Sequence, residues 1–423
     1  MQLQGATKEE LQKFETELSQ AYQALKEEKL SLNLTRGKPS TAQVSIADKL
    51  DGILDGNYIS ESGIDTRNYG TPRGLPEMQA LGGEILACPA ANIIAAGNSS
   101  LTLMFFAALT QYNKGAGGED NAWKNITTPK FICPVPGYDR HFSICEDLGI
   151  QMVTAPMTET GPDMDVVEEM VKNDDQIIGI WCVPKYSNPT GVIYSEETVM
   201  RIAKLGQIAN PSFRIFWDNA YAVHDLTPTP KPLTSLWDCA VKHGTEDHIW
   251  MFASSSKISF AGGGIAWVAS SDKNLSALDK QLIVTTIGFD KVNQLRHAKL
   301  FPNEAALRKQ MEAHANSIRP KFSAVFDALN KELKEFGFWT QADGGYFCSF
   351  DTQPGLAKEV VKLAAEAGVK LTRAGATFPY GNDPEDKNIR LAPTFPELED
   401  VIKAMQVFCV CVKLASVRQL LET

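Results

Sequence analysis

The sequence predicts an α/β protein: a mostly parallel sheet with helices on both faces, joined to a smaller α+β unit. Three observations carry this. From about Ser45 to Pro302, apolar runs such as Phe131-Ile-Cys133, Ile177–Val183 and His248–Phe252 alternate with helical patterns. Consecutive runs empty into polar segments holding Asn188, Asp218 and Lys257. Beyond Asn303 the pattern changes to a long polar–apolar helix through about Leu333.

In chain order, Thr7-Lys-Glu-Glu10 makes a capping box for a first helix running to about Leu30. The stretch from there to about Ser45 is turn-rich and predicts a crossing between domains. Residues 45–302 are therefore read as the large domain, and 1–44 with 303–423 as a small domain built from both chain ends. Ala96–Leu101 leads into a helix-like run, and Gly115–Asn121 predicts an exposed loop. The small domain continues through Gly344–Phe350, a helix, Arg390-Leu-Ala-Pro393 and a final helix. Cys409-Val-Cys411 sits in an apolar run that predicts a buried helix or strand.

Composition excludes several classes of function. A chain of 423 residues, 43% hydrophobic, buries a large core and accommodates two domains. Its formal net charge of −10 disfavours nucleic acid and anionic membranes as partners. No apolar stretch approaches the roughly 20 residues that span a bilayer. Met1-Gln-Leu-Gln4 lacks the pattern of a signal peptide, so the cytoplasm is expected. The eight cysteines show no C-x-x-C spacing and the six histidines no metal-ligand spacing, so neither disulfides nor a metal site is expected. His141 follows a Pro-Gly-Tyr turn and could lie near the site, though a lone histidine is more often structural.

The chemistry concentrates around Lys257, in Phe252–Gly264. A lysine forms a Schiff base only when its amine is partly neutral, a state that burial favours. Ser254 and Ser256 can donate hydrogen bonds to a phosphate, and Gly262, Gly263 and Gly264 allow close backbone approach. Asp218 ends an apolar strand where a carboxylate could keep a pyridine nitrogen protonated, and Tyr221 could bond the phenolic oxygen of the same ring. Asn188 sits in turn chemistry after the preceding strand. Singly, such residues are caps and turns. At the carboxyl ends of consecutive strands they share the edge where open α/β sheets collect ligands, and the pattern fits pyridoxal phosphate.

Asn188-Pro-Thr-Gly191, Asp218-Asn-Ala-Tyr221 and Ser254-Ser-Ser-Lys257 resemble, in order and approximate spacing, the fold type I pyridoxal-phosphate aminotransferases. The resemblance covers nearly the whole chain. It implies that Tyr69, in Asn68–Leu75, crosses to the phosphate of a neighbouring subunit, and hence a homodimer. It implies a phosphate-binding turn at Gly97, Asn98 and Ser99, and an α-carboxylate grip by Arg390, with Gly37 and Asn188 also at the substrate. Asn33–Pro39, Pro136–His141 and the glycines after Lys257 are similar to an aspartate aminotransferase subgroup related to the aminotransferase half of MocR-type regulators. Tyr138 would then stack on the cofactor ring; its plainer reading is a core aromatic. One departure stands out: the family's arginine about eight residues after the lysine is missing, and Gly263, Gly264, Ile265 and Ala266 occupy that region.

The resemblance implies transfer of an amino group, from L-aspartate to 2-oxoglutarate, in a ping-pong cycle with Lys257 as base. For a distal carboxylate, Arg36, Lys38, Arg140, Lys185 and Arg373 all remain candidates. Aromatic or neutral amino donors stay open, as does a lyase or decarboxylase, since Lys257 and Asp218 would serve those reactions equally. A non-catalytic sensor is disfavoured by the acidic N-terminal helix.

Overall fold

The computed structural model describes residues 5–422, and the Met1–Gln4 stretch read for leader character lies outside them. Eight strands form the central sheet, in the order Ile93–Ala95, Ala266–Ser270, Ile249–Ser254, Arg214–Asp218, Ile177–Cys182, Lys130–Val135, Gln151–Thr158 and Gly161–Pro162. The five from Ile249–Ser254 through Gln151–Thr158 are mutually parallel. Strands buried on both faces are apolar at nearly every position, as Ile177–Cys182 and Ile249–Ser254 are, whereas the outer strand Gln151–Thr158 alternates buried and exposed residues along most of its length. Ile215, Trp217, Met251 and Ala253 point into one core; Phe216, Trp250 and Phe252 point into the other. Helices Pro76–Leu86, Glu196–Ile208 and Leu236–His243 cover the first face, while Ser100–Asn113, Asp139–Asp147 and Asp272–Leu282 cover the second. In the second core Trp123, Phe131, Trp181 and Phe216 pack with ring centroids 4.8 to 6.0 Å apart.

A third core joins the two chain ends. Helices Lys8–Glu27, Glu304–Glu332, Ala357–Glu366 and Leu398–Glu422 pack around an antiparallel sheet of Gly337–Trp339, Cys348–Thr352 and Asn388–Leu391. The first helix opens on the expected capping box, with Thr7 N–H donating to Glu10 Oε2 at 2.8 Å and Glu10 N–H donating to Thr7 Oγ1 at 3.3 Å. It stops at Glu27, short of the expected Leu30, and Lys29 just beyond it takes a left-handed φ of 52°. The turn-rich stretch contains a short helix, Thr41–Ser45, with its own capping box from Ser40 and Gln43.

One local expectation is corrected. Gly115 and Ala116 are buried, and only the later part of that loop is exposed, because the Ala116 carbonyl accepts from the buried Arg214 guanidinium at 2.9 Å. Within Gly344–Phe350 a strand begins at Cys348, after Gly344 and Gly345, which lie against Tyr186 where a Cβ would collide. Cys409 and Cys411 fall in the last helix, both buried.

The small sheet depends on Phe350, fully buried with its ring 5.2 Å from Phe408 and 6.0 Å from Trp339. Phe350→Ala is expected to destabilise the fold by about 3–5 kcal/mol, seen as a lowered urea midpoint.

Candidate active site

Parallel strands align their carboxyl ends, and this brings the sequence candidates together. Asp218 closes the strand Arg214–Asp218, Lys257 lies three residues beyond Ile249–Ser254, Asn188 follows Ile177–Cys182 and Tyr138 follows Lys130–Val135. All four line one cavity of about 590 Å³, together with Tyr221, Ser99, Ser254, Ser256, Gly37 and Arg390. Gly97, Asn98 and Tyr69 do not line it. Asn98 instead braces the lysine loop, its Nδ2 donating to the Gly262 carbonyl at 3.3 Å while its carbonyl accepts from Ser256 Oγ at 3.2 Å. Ser99 caps helix Ser100–Asn113 by accepting from Thr102 N–H at 3.3 Å. Ser100 and Leu101 line the cavity from the first turn, where N–H groups lack helical acceptors and the dipole favours an anion.

Asp218 is 2% exposed. His141 Nε2 donates to its Oδ2 at 3.0 Å, and the His141 ring stacks on Trp181 at 4.2 Å and 7°. Its Oδ1 is buried with no hydrogen-bond partner. Lys257 Nζ stands 4.9 Å from the Tyr221 ring centre and 5.8 Å from that of Tyr346. Burial lowers its pKa below the ordinary 10.5, partly opposed by the negative charge of Asp218. Burial also raises the Tyr138 phenol to about 12, with Asp218 and Asp139 adding to the effect. The Tyr221 phenol is raised well above its ordinary value, again chiefly by burial.

Arg390, on strand Asn388–Leu391, places Nη1 at 3.3 Å from both Asp139 Oδ1 and Asn188 Oδ1, with its guanidinium 4.9 Å from the Phe347 ring centre. Its Nε is buried without a partner. The missing arginine leaves no cation after Lys257. Ile265 is buried with its N–H on Ser255 Oγ at 2.8 Å, and Asn293 Nδ2 pins the Gly263 and Gly264 carbonyls. Of the distal-carboxylate candidates, Lys185 is held by Asp225 at 2.7 Å and Lys38 lies 3.8 Å over the Phe395 ring, both outside the cavity. Arg36, Arg140 and Arg373 line it.

These residues fit the group that the sequence resemblance implies. A protonated ring nitrogen would supply the partner that Asp218 Oδ1 lacks, and the serines and helix N-terminus suit a phosphate.

Residues 6–423 match the family described as aspartate amino-transferase. The chain belongs to that family. It is 41% identical over 417 residues to an aspartate aminotransferase of Corynebacterium glutamicum, covering 98% of this chain and 96% of the relative. A crystal structure of an aspartate transaminase from C. glutamicum superposes with a TM-score of 0.95 at 40% identity, covering 99% of each chain. An α-aminoadipate aminotransferase of Thermus thermophilus, solved with N-(5'-phosphopyridoxyl)-L-leucine, shares the fold at a TM-score of 0.74 and 19% identity, covering 92% of this chain and 93% of that one.

The aminotransferase places His141 beside the site, where its position after the Pro-Gly-Tyr turn allowed it to lie, three residues from Tyr138 on the helix that starts at Asp139. Sequence reasoning missed other residues there. Tyr346, facing Lys257, carries no signal in the sequence. Its hydroxyl accepts from Gln43 Nε2 at 2.9 Å. Behind the lysine, His224 Nε2 donates to the Lys257 carbonyl at 3.3 Å, and His314 Nε2 donates to that of Ile258 at 3.0 Å.

Burial lowers the pKa of His224, His248, His297 and His314 below the ordinary 6.5, for His224 well below. Below pH 6.5 the unfolded chain binds protons that the folded one refuses, so stability falls as pH drops. The expected slope is about 1.4 kcal/mol per pH unit for each such group. Urea midpoints between pH 7.5 and 5.5 measure it, and His314→Gln should flatten the curve.

Proposed function

We propose that the aminotransferase binds pyridoxal 5'-phosphate in this cavity and moves the amino group of an L-amino acid, L-aspartate first, to 2-oxoglutarate in a ping-pong cycle. The observation that carries this is the buried, unpartnered Asp218 Oδ1 beside a lysine whose amine burial makes more acidic. When bound, the cofactor's protonated ring withdraws electrons from the substrate bond to be broken. Asp218, fixed by His141, would hold the ring nitrogen's proton; Asn188 and Tyr221 would serve the phenolic oxygen and Tyr138 the ring face, while Ser99, Ser254 and Ser256 would hold the phosphate. Arg390, with Gly37 and Asn188, orients the α-carboxylate, so that group is kept rather than lost. Lys257 Nζ, once free, takes and returns the α-proton.

On this reading residues 45–302 hold the cofactor, and 1–44 with 303–423 close over the substrate. We further propose a homodimer in which Tyr69 reaches the neighbouring phosphate. Its support is exposure: Tyr69 is 80% exposed, beside a loop that exposes Ile283, Val284 and Ile287 by 63–72%. Lys291 Nζ ties the loop's end to the Gly70 carbonyl at 2.9 Å. Eight unpaired thiols, six of them buried, suit a reducing cytoplasm. Among the described residues no helix is long and apolar enough to cross a membrane.

The purified protein is expected to be yellow, to bleach with L-aspartate and to recover its colour with 2-oxoglutarate; colour that ignores aspartate would overturn the donor assignment. Lys257→Ala should lose on the order of 10²–10⁴-fold or more in turnover. Tyr69→Phe is expected to weaken cofactor binding about 10-fold in a protein that sediments as a dimer.

A further inference from the structure

Tyr380 holds a backbone conformation that side chains disfavour, at a point where its hydroxyl reaches the central sheet. Its φ is +58°, in the left-handed region, and it is 59% exposed. It lies near the end of a coil of consecutive turns. Ala376 N–H donates to the Arg373 carbonyl at 3.1 Å, Phe378 N–H to that of Gly375 at 3.0 Å, and Gly381 N–H to that of Phe378 at 3.0 Å. The coil closes tightly on itself, since a Cβ on Gly375 would collide with the Gly381 carbonyl. At a side chain this exposed, burial does not offset the strain; the contact made by the hydroxyl does.

That contact is on the edge of the sheet. Gln151 N–H donates to the Pro129 carbonyl at 2.9 Å, so the N–H of Met152 points the other way, where Gly161–Pro162 pairs only with Met157 and Thr158. Tyr380 Oη accepts that N–H at 3.0 Å. Three residues back, the Thr377 carbonyl accepts from Gly137 N–H at 2.8 Å, in the turn that leads into Tyr138. Thr377 Oγ1 donates to Asn388 Oδ1 at 2.7 Å. Asn388 and Arg390 stand two apart on one strand and so share a face. One coil therefore touches the sheet edge, the turn before Tyr138 and the strand of Arg390.

We propose that Tyr380 is a positioning residue for the amino-group transfer proposed above, and that it acts as a clasp. Its hydroxyl holds Arg373–Gly381 to the sheet edge, which keeps the Thr377 carbonyl on Gly137 and keeps Tyr138 and Arg390 at the spacing that receives the substrate. The inference rests on the role given above to Arg390. The clasp is one hydrogen bond at a wet surface set against a strained backbone, so it closes only weakly. Without the hydroxyl the backbone at position 380 relaxes and the coil leaves Gly137. Tyr380 does not itself line the cavity, so binding suffers while proton transfer at Lys257 does not.

Tyr380→Phe removes only the hydroxyl, at an exposed position, so the variant should fold. Amide hydrogen exchange of the cofactor-loaded protein, together with steady-state kinetics on L-aspartate and 2-oxoglutarate, tests the clasp. Faster exchange at Met152, by about 10-fold, reports the loss of the bond itself and would accompany a purely structural edge cap as well. The clasp requires two further changes. Gly137 should exchange about 5-fold faster or more, and KM for L-aspartate should rise about 5-fold or more with kcat within about 2-fold. If either stays at its wild-type value, or if kcat falls as far as kcat/KM, the clasp is overturned. A wild type that takes no amino group from L-aspartate would overturn the proposed donor instead, and exchange at Gly137, which needs no substrate, would then decide the clasp alone.

Discussion

The site is organised around a carboxylate oxygen kept out of water with nothing to bond. Leaving a buried acceptor unsatisfied costs about 1–3 kcal/mol, more when it is charged, so Asp218 Oδ1 must be held by surroundings that cannot yield to satisfy it. Its strand is central and parallel, paired on one side with Ile177–Cys182 and on the other with Ile249–Ser254. The next residue, Asn219, donates its N–H to the Phe252 carbonyl at 2.8 Å, fixing the chain where it leaves the sheet. Oδ2 is taken by His141, and His141 cannot turn because its ring lies flat on Trp181, itself part of the Trp123–Phe131–Phe216 cluster. The aromatic core of one sheet face thus acts on the site directly, by holding the histidine that aims the carboxylate.

The lysine is restrained from the opposite side. The carbonyls of Lys257 and Ile258 are held by His224, and by Gln310 and His314 on the long helix Glu304–Glu332. Gln43 contacts both His314 and Tyr346, so the short helix after the N-terminal crossing, the long helix and the loop before Cys348–Thr352 meet behind the lysine. Because these histidines stay neutral when buried, they hold carbonyls without adding positive charge beside the amine. Segments far apart in the chain thereby share one task, keeping Nζ in a setting that favours its neutral form.

Several features were legible in the sequence because they are local. The Thr7–Glu10 capping box depends on residues three apart, and the double-sided strands declare themselves by unbroken apolar runs. Asn188, Asp218 and Lys257 could be placed on one edge because parallel strands leave no other arrangement for residues that follow their carboxyl ends. Other features were not legible. The helix Thr41–Ser45 is too short to show a period, and Gly115–Ala116 reads as open loop until Arg214 is seen to need their backbone. His141 could be placed near the site but given no role, because its partner, Asp218, is 77 residues away. Tyr346 meets Lys257 across a larger separation still, and His224 meets the lysine loop from 33 residues away.

Alone, the sequence determined the class of fold, the family resemblance and most of the residues that line the cavity, since each follows from short-range pattern and strand order. The tertiary structure alone decided which of five candidate cations stand there. Lys185 and Lys38 are drawn off by Asp225 and Phe395, whereas a parallel pairing between the two chain ends carries Arg36 and Arg373 to the same wall. Charge is a property of the residue; whether it is spent on a neighbour or left for a ligand depends on what the fold packs against it.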